Sequence, residues 1–333
     1  MTDPRPIRVG FTGGASSKRE KLLDSARAVE KLGYSTFGLA DHFVRPLAPL
    51  IAGQAVADAT TTLRITQTVL AQDFREPAVL AKELATLDVL SEGRLQVGLG
   101  AGWLRQEYED ASIRFQPASV RIARLEEATI ILKGLFGEDP FSFEGEHYTV
   151  QGLRGLPTPV QRPRPPIMIG GGGPKVLAVA ARQADIVQLM PSNRGGVTGL
   201  DPSQFSAPAI EEKVGWIRDA AGSRFAEIEL SAQLLECVVT ERPAEHLADF
   251  ADRIAAVTER MGGARVDLGS DDLRNSPIVA VGSLDEVCER LVDTRDRYGI
   301  SYFAAPIDAK PEALAPIIEA LAAPGHHAGR GTT

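Results

Sequence analysis

The feature that most constrains the fold is a regular alternation of short, strand-like apolar segments with amphipathic, helix-like segments along the 333 residues. The strand-like segments are rich in β-branched or alternating apolar residues, whereas the others place apolar residues at helical spacing. Eight strand-like segments fall at residues 7–12, 36–40, 63–70, 95–100, 167–169, 185–190, 228–239 and 301–305. Repeated βα units favour a closed parallel sheet over a doubly wound one. The predicted fold class is therefore α/β, a (β/α)₈ TIM barrel with insertions.

No linker divides this alternation, so residues 1–323 are predicted to form a single barrel domain. Insertions are expected near residues 137–166, 192–208 and 262–277. The first of them reads as a hairpin followed by a proline-rich extended segment. Residues 324–333 are expected to be a disordered tail.

Composition excludes several classes of protein. The formal net charge is −8 and no long basic run occurs, so nucleic acid is not an expected partner. No apolar run approaches the roughly 18 residues that span a membrane, and the first residues carry no signal-peptide pattern. A cytoplasmic location is therefore expected. Cys237 and Cys288 fit no metal spacing and are predicted to be buried thiols, and the five histidines form no metal-binding motif, so no metal is expected.

The stretch at residues 66–107 reads as strand, helix, strand and glycine-rich loop. In its second strand, leucine and valine side chains alternate with Gln96, Gly98 and Gly100, which leaves one strand face nearly bare. A bare face that runs into a glycine loop indicates a planar or phosphate-bearing ligand close to the backbone. Close packing of a β-turn-helix junction is the alternative, and the sequence leaves both open.

Two titratable residues, Asp41 and His42, follow the second predicted strand. Ligands bind at the carboxyl ends of parallel strands, so the pair is a candidate site. The alternatives are a turn or helix-capping carboxylate for Asp41 and a structural histidine for His42. Trp103, after the glycine loop, can stack on a ligand ring or simply plug the barrel mouth.

A glycine run after the fifth strand is the sharpest local signal. Glycines free successive backbone N–H groups, a proline suits the first position of a helix, and a lysine adds positive charge. The run predicts an anion nest for a phosphate, with a flexible turn as the alternative, and it matches neither a Walker loop nor a dinucleotide fingerprint. Its members are Gly170, Gly171, Gly172, Gly173, Pro174 and Lys175.

These motifs together resemble the bacterial luciferase-like family of (β/α)₈ flavin and deazaflavin oxidoreductases. The elements that carry the resemblance are AVEKLGY, Asp41-His42, FREPAVLAKELATLDVLSEGR, GLGAGW with Glu107 four residues further on, and IGGGGP. The chain is most similar to the actinobacterial-type members that use the deazaflavin coenzyme F-420. The resemblance implies F-420 as the cofactor, with FMN as the alternative.

The resemblance also implies site roles. His42 would be catalytic and lie near the reactive C5 of the ring, with Asp41 beside the ring. Thr68 and Val69 would form a cis peptide behind it. The residues that would flank the ring and its side chain are Ala71, Gly100, Ala101, Gly102 and Gln106, and the glycine run Gly170 to Lys175 would hold the phosphate. The residues assigned to the substrate pocket are Phe11, Trp103, Met190 and Arg194.

One position departs from the family pattern. The deazaflavin sugar-phosphate dehydrogenases carry an acidic glutamate where this chain has Trp103, so sugar oxidation by the same route is not expected. The predicted reaction is hydride transfer from reduced deazaflavin to an activated C=C or C=N bond of a small or secondary-metabolite substrate. The alternatives are a reduced-FMN two-component monooxygenase and a non-catalytic flavin- or deazaflavin-binding protein. The family also implies a homodimer.

Overall fold

The computed structural model describes residues 4–192, 202–260, 269–307 and 309–323. Its strands are β1 Arg8–Gly13, β2 Thr36–Leu39, β3 Arg64–Gln67, β4 Leu70–Ala71, β5 Leu95–Gly100, β6 Phe141–Glu144, β7 Thr149–Leu153, β8 Ile167–Gly171, β9 Ile186–Leu189, β10 Glu229–Gln233, β11 Glu236–Val239, β12 Val279–Gly282 and β13 Ile300–Ala304. The main sheet runs β3-β2-β1-β13-β10-β9-β8-β5-β4, all parallel, and a β3–β5 pairing closes it. With β3 and β4 forming one broken strand, this is the predicted eight-stranded TIM barrel.

Helices surround the barrel. They are α1 Arg19–Lys31, α2 Pro49–Ala59, α3 Pro77–Leu90, α4 Arg105–Asp110, α5 Ala118–Leu135, α6 Pro174–Gln183, α7 Ala207–Ala221, α8 Pro243–Arg260, α9 Ser270–Arg274, α10 Leu284–Tyr298 and α11 Ala315–Ala322. Helix α2 was not predicted from the sequence. Its apolar residues lie on both faces, with Val56 buried and Ile51 exposed, so they give no clear helical period.

Two predicted strands are divided in the structure. The segment at 63–70 is broken into β3 and β4 by a cis peptide between Thr68 and Val69. The segment at 228–239 was predicted as one strand, and that prediction was wrong. The Leu234 N–H donates to Ala304 O of β13, but the Leu235 N–H donates to Ile278 O, next to β12. The chain thus leaves the barrel at this point, and β11 pairs with β12 in a separate two-stranded parallel sheet.

The centre of the barrel is polar at its amino end. Arg8 pairs with Glu229 through two contacts of 2.7 Å, and its guanidinium stacks 3.6 Å from the centre of the Tyr302 ring. The large apolar core lies instead between the strands and the surrounding helices. Cys237 and Cys288 belong to that core as free thiols, which confirms their prediction, and burial raises the pKa of Cys237 to about 12.

Buried or half-buried carboxylates fasten the loops to the helices. Glu30 of α1 accepts the N–H groups of Thr61, Thr62 and Leu63 at 2.7 to 3.0 Å. Burial alone would raise the pKa of Glu30, but these three N–H donors lower it to about 2. The loop before β3 is therefore fixed to α1.

The insertion at 137–166 is held in the same way. The predicted hairpin is confirmed as the antiparallel pair β6 and β7, and Glu127 of α5 accepts three consecutive N–H groups at its turn. Asp88 of α3 accepts the N–H groups of Val160 and Gln161 in the proline-rich part.

The expected insertions at 192–208 and 262–277 lie partly outside the described residues, which resume at 202 and at 269, and the expected tail at 324–333 lies wholly outside them. Among the helices that are described, none is long and apolar enough to cross a membrane.

Candidate active site

His42 lies at the carboxyl end of β2, and its ring is held by a carboxylate from another rim loop. The Nδ1 atom of His42 is 2.8 Å from Oε2 of Glu107, in α4. The second oxygen, Oε1, accepts the Val44 N–H at 3.4 Å. The Glu107 side chain is only 6% exposed, whereas the His42 side chain is 26% exposed. A buried acceptor thus orients an imidazole that is still accessible from the rim.

The contact between His42 and Glu107 was not predicted from the sequence. Glu107 was noticed only as part of the family pattern, because the two residues are 65 positions apart and no local spacing connects them.

Asp41, the neighbour of His42, is engaged by different groups. Arg75 contacts both of its carboxylate oxygens, at 2.7 and 3.1 Å, and the Ala71 N–H donates to Oδ2 at 3.1 Å. Asp41 therefore braces the end of β2 against β4 and the turn that follows it. Arg75 was not singled out from the sequence as its partner.

Trp103 packs against the catalytic candidate. Its ring lies edge-to-face with the His42 ring at a centroid distance of 5.8 Å. The preceding Gly102 has a φ of +71°, and a Cβ there would overlap the hydroxyl of Tyr108. A left-handed backbone with no space for a side chain explains the glycine at this position.

The bare strand face predicted in β5 is filled by the protein itself. A Cβ on Gly98 would lie 1.9 Å from the Gln67 carbonyl oxygen, and one on Gly100 would lie 2.6 Å from Cγ2 of Val69. Of the two interpretations that the sequence left open, close packing is therefore the correct one for the space beside these two glycines. The glycines make room for the backbone around the cis peptide of Thr68 and Val69.

The glycine run continues β8 into α6. Gly170 and Gly171 still pair with β9, whereas Gly173 caps α6 and Pro174 is its first residue. The nearest atom to a Cβ built on Gly173 is Ser192 Oγ at 3.8 Å, so the backbone here is accessible. Because a glycine cap has no side chain, it leaves the first-turn amides available to an outside acceptor. With Lys175 in the same turn, this end of the barrel fits an anionic group.

Most of the other residues assigned to the site lie at the same rim. Ala71 pairs with Gly100 between β4 and β5, and the Ala101 carbonyl accepts from Arg121 Nε at 3.1 Å. Gln106 is different. It is exposed on α4 and donates to Asp110 of its own helix at 2.8 Å.

The four residues assigned to the substrate pocket do not all lie at one place. Trp103 and Met190 lie at the rim, and Arg194 lies outside the described residues. Phe11 is buried in the core outside the barrel, with its ring 5.6 Å from that of Tyr34. Phe11 thus faces the helices, because alternate residues of β1 point to opposite sides, and we leave it out of the proposed pocket.

A buried lysine that the sequence reading missed supports the rim near Met190. The Nζ atom of Lys213, in α7, donates to the carbonyls of Met190 and Gln204 at 3.1 Å each. No spacing rule predicts this contact. Within the described ranges, no group of three or more His, Cys, Asp or Glu side chains could hold a metal ion.

The structure is a TIM barrel in which the candidate site residues follow β2, β4, β5 and β8 at one rim. The model of the luciferase-like monooxygenase family matches residues 6–302, and the chain belongs to that family, as the sequence predicted. An F-420-dependent glucose-6-phosphate dehydrogenase of Amycolatopsis mediterranei is 28% identical over 73% of this chain and 81% of its own.

The chain is also similar to a monooxygenase in sequence and to a reductase in structure. An FMNH2-dependent dimethylsulfone monooxygenase of Pseudomonas putida is 34% identical, but over only 39% of this chain and 36% of its own. The solved structure of a coenzyme F-420-dependent tetrahydromethanopterin reductase from Methanopyrus kandleri superposes with a TM-score of 0.74 at 17% identity, covering 95% of this chain and 98% of that one. At that identity the structural match supports the fold alone.

Proposed function

We propose that this protein is a coenzyme F-420-dependent oxidoreductase that reduces an activated C=C or C=N bond of a small-molecule substrate. The observation that carries the proposal is the arrangement of the rim. The oriented His42, the Thr68-Val69 segment and the accessible start of α6 follow barrel strands β2, β3 and β8, which lie on the same arc of the barrel. The name of the Amycolatopsis relative supports the choice of deazaflavin.

The residues at the rim fit such a cofactor. The first turn of α6, from Gly173 to Lys175, would hold its phosphate through free amides and a positive charge. Thr68 and Val69 would support its ring, and their backbone is fixed by close contact with β5. When bound, a reduced deazaflavin supplies a hydride from C5, and the protein contributes binding and orientation.

The protein must also supply a proton to the substrate. Reducing C=C or C=N adds one hydride and one proton, so a group that can give a proton must face the substrate. His42 is suited to this because imidazole exchanges protons near neutral pH. Trp103, packed on its ring, would keep water away from that side. Since Trp103 carries no acid, we do not propose a sugar phosphate as the substrate.

A second candidate is a reduced-FMN monooxygenase, which the dimethylsulfone monooxygenase relative favours. A third is a flavin- or deazaflavin-binding protein without turnover. The buried Glu107 that orients His42 argues against the third, because a simple binding protein does not need an oriented imidazole.

The phosphate site gives a test that does not depend on turnover. We expect Lys175→Glu to weaken binding of F-420 about fivefold to tenfold, because a negative charge replaces a positive one at a helix start. Binding of the same chromophore without its phosphate should be unchanged. Both are measured by fluorescence titration, with Lys82→Glu, an exposed lysine of α3, as the control. Equal weakening of both ligands would contradict the assignment of the phosphate to α6.

We also propose a homodimer formed through α2 and α3, which pack side by side. Ile51 of α2 is 78% exposed and Val79 of α3 is 56% exposed, so both of these neighbouring helices present a large apolar side chain to the surface. Sedimentation velocity should give twice the chain mass of 35.6 kDa. The double variant I51D/V79D should sediment as a monomer. The control is Ile307→Asp, which changes an exposed apolar residue elsewhere and should leave the mass of the dimer unchanged. A monomeric wild-type protein would contradict the proposal.

A further inference from the structure

We propose that Glu107 is a positioning residue that fixes His42 as the tautomer with hydrogen on Nδ1, so that Nε2 is the nitrogen that exchanges the proton with the substrate. The part of this inference that concerns proton exchange during turnover rests on the proposed function. The tautomer itself is a property of the protein without any ligand.

Each carboxylate oxygen of Glu107 contacts one hydrogen-bonding group. An ionised carboxylate has no donor, so each group it contacts must supply the hydrogen. One oxygen takes the Val44 N–H at 3.4 Å, and the other lies 2.8 Å from Nδ1 of His42. In the described part of the chain these are the two groups that hydrogen-bond to the carboxylate. The hydrogen of a neutral His42 ring therefore lies on Nδ1, and Nε2 keeps its lone pair.

The surroundings of Glu107 hold it in place. The next residue, Tyr108, is 1% exposed, and its ring contacts Phe74 and Phe115 at centroid distances of 5.0 and 4.9 Å. This packing anchors α4 and so fixes the backbone position of Glu107 relative to His42. Trp103 lies against the His42 ring and restricts its rotation. Asp41 cannot replace Glu107, because Arg75 already occupies both of its oxygens.

Glutamine at position 107 has the same shape but only one acceptor. If its oxygen keeps the Val44 N–H, its NH₂ group faces Nδ1 of His42, and the ring must move its hydrogen to Nε2. If its oxygen turns to His42 instead, the NH₂ group is left against the Val44 N–H. Burying a donor without an acceptor is unfavourable, so either arrangement disfavours the wild-type geometry.

The tautomer can be measured directly by ¹⁵N NMR of histidine-labelled protein without cofactor. The spectrum is recorded at alkaline pH, where imidazole is neutral, and the His42→Ala spectrum assigns the signals. We expect Nδ1 protonated and Nε2 unprotonated in the wild type, with the pattern reversed or mixed in Glu107→Gln. The control Glu109→Gln changes an exposed carboxylate of the same helix, which pairs with Arg105, and should leave His42 unchanged. A wild-type His42 with hydrogen on Nε2 would overturn the proposal.

Turnover gives a second, independent readout. Glu107→Gln should lower the rate of reduced-cofactor oxidation about 100-fold, within the usual range for loss of an acid–base group, with little change in cofactor affinity. In the His42→Ala background the same change should have almost no further effect, because Glu107 acts through His42. An additive loss in the double variant would mean that Glu107 acts in another way. If no substrate is turned over, the NMR result still decides the tautomer, so failure of the proposed function is recognised separately.

Discussion

His42→Ala should lower turnover about 100-fold to 1000-fold and change cofactor affinity by less than about threefold. The imidazole is the titratable group at the rim that Glu107 orients, and it is partly accessible, so its loss removes the proton donor. The cofactor would instead be held mainly by the start of α6 and by the Thr68-Val69 segment. The measurement is the rate of reduced-deazaflavin oxidation at saturating substrate, together with a fluorescence titration of the cofactor.

His147→Ala is the matched control, since His147 lies in the hairpin of the insertion, where its backbone N–H donates to Glu127. It should leave both values unchanged. If His42→Ala turned over at the wild-type rate, His42 would not be the proton donor. If the variant lost its cofactor affinity instead, His42 would be a binding residue and not a catalytic one.

The second large effect concerns stability. Gly98→Ala should lower the free energy of unfolding by about 2–3 kcal/mol, because the added methyl group would lie only 1.9 Å from the Gln67 carbonyl oxygen. Backbone on both sides of this contact leaves no flexible side chain to move. The change would also displace the Gln67 backbone next to Thr68 and Val69, which we propose support the ring, so cofactor affinity should fall as well. Urea unfolding followed by circular dichroism measures the first effect.

Gly215→Ala provides the control for the same chemical change. Gly215 lies within α7, and a Cβ built there meets no atom within 4 Å. Alanine favours the helix over glycine, so this variant should be more stable by about 0.5–1 kcal/mol. Equal unfolding midpoints for the two variants would contradict the packing described at β5.

The barrel could be predicted because its strands and helices repeat a strong local pattern. The single strand expected at 228–239 is two strands, because what turns the chain at Leu235 is pairing with residues near β12, about 40 positions away in sequence. Helix α2 was missed because apolar residues lie on its exposed face too, and the proposed dimer would explain why. Local pattern thus located the elements but not their long-range partners.

The same limit applies to the site. Asp41, His42 and the glycine run could be found because they follow strands, where the rim of a barrel must lie. Arg75 contacts Asp41, Glu107 contacts His42 and Lys213 contacts the carbonyl of Met190, and in each case the partners lie on separate elements that no spacing rule connects. The glycines of β5 were recognised as a face without side chains, but only the structure shows that Gln67 and Val69 fill it.

The most direct test of the central claim is the rate at which the protein oxidises reduced F-420 in the presence of a panel of enones and imines. The same preparation is measured beside it with reduced FMN and oxygen. We predict that at least one acceptor of the panel is reduced with matching loss of reduced F-420, and that reduced FMN supports no oxygen consumption above its spontaneous rate. Oxygen consumption with reduced FMN, and no oxidation of F-420 by any acceptor, would contradict the proposed function and favour the monooxygenase.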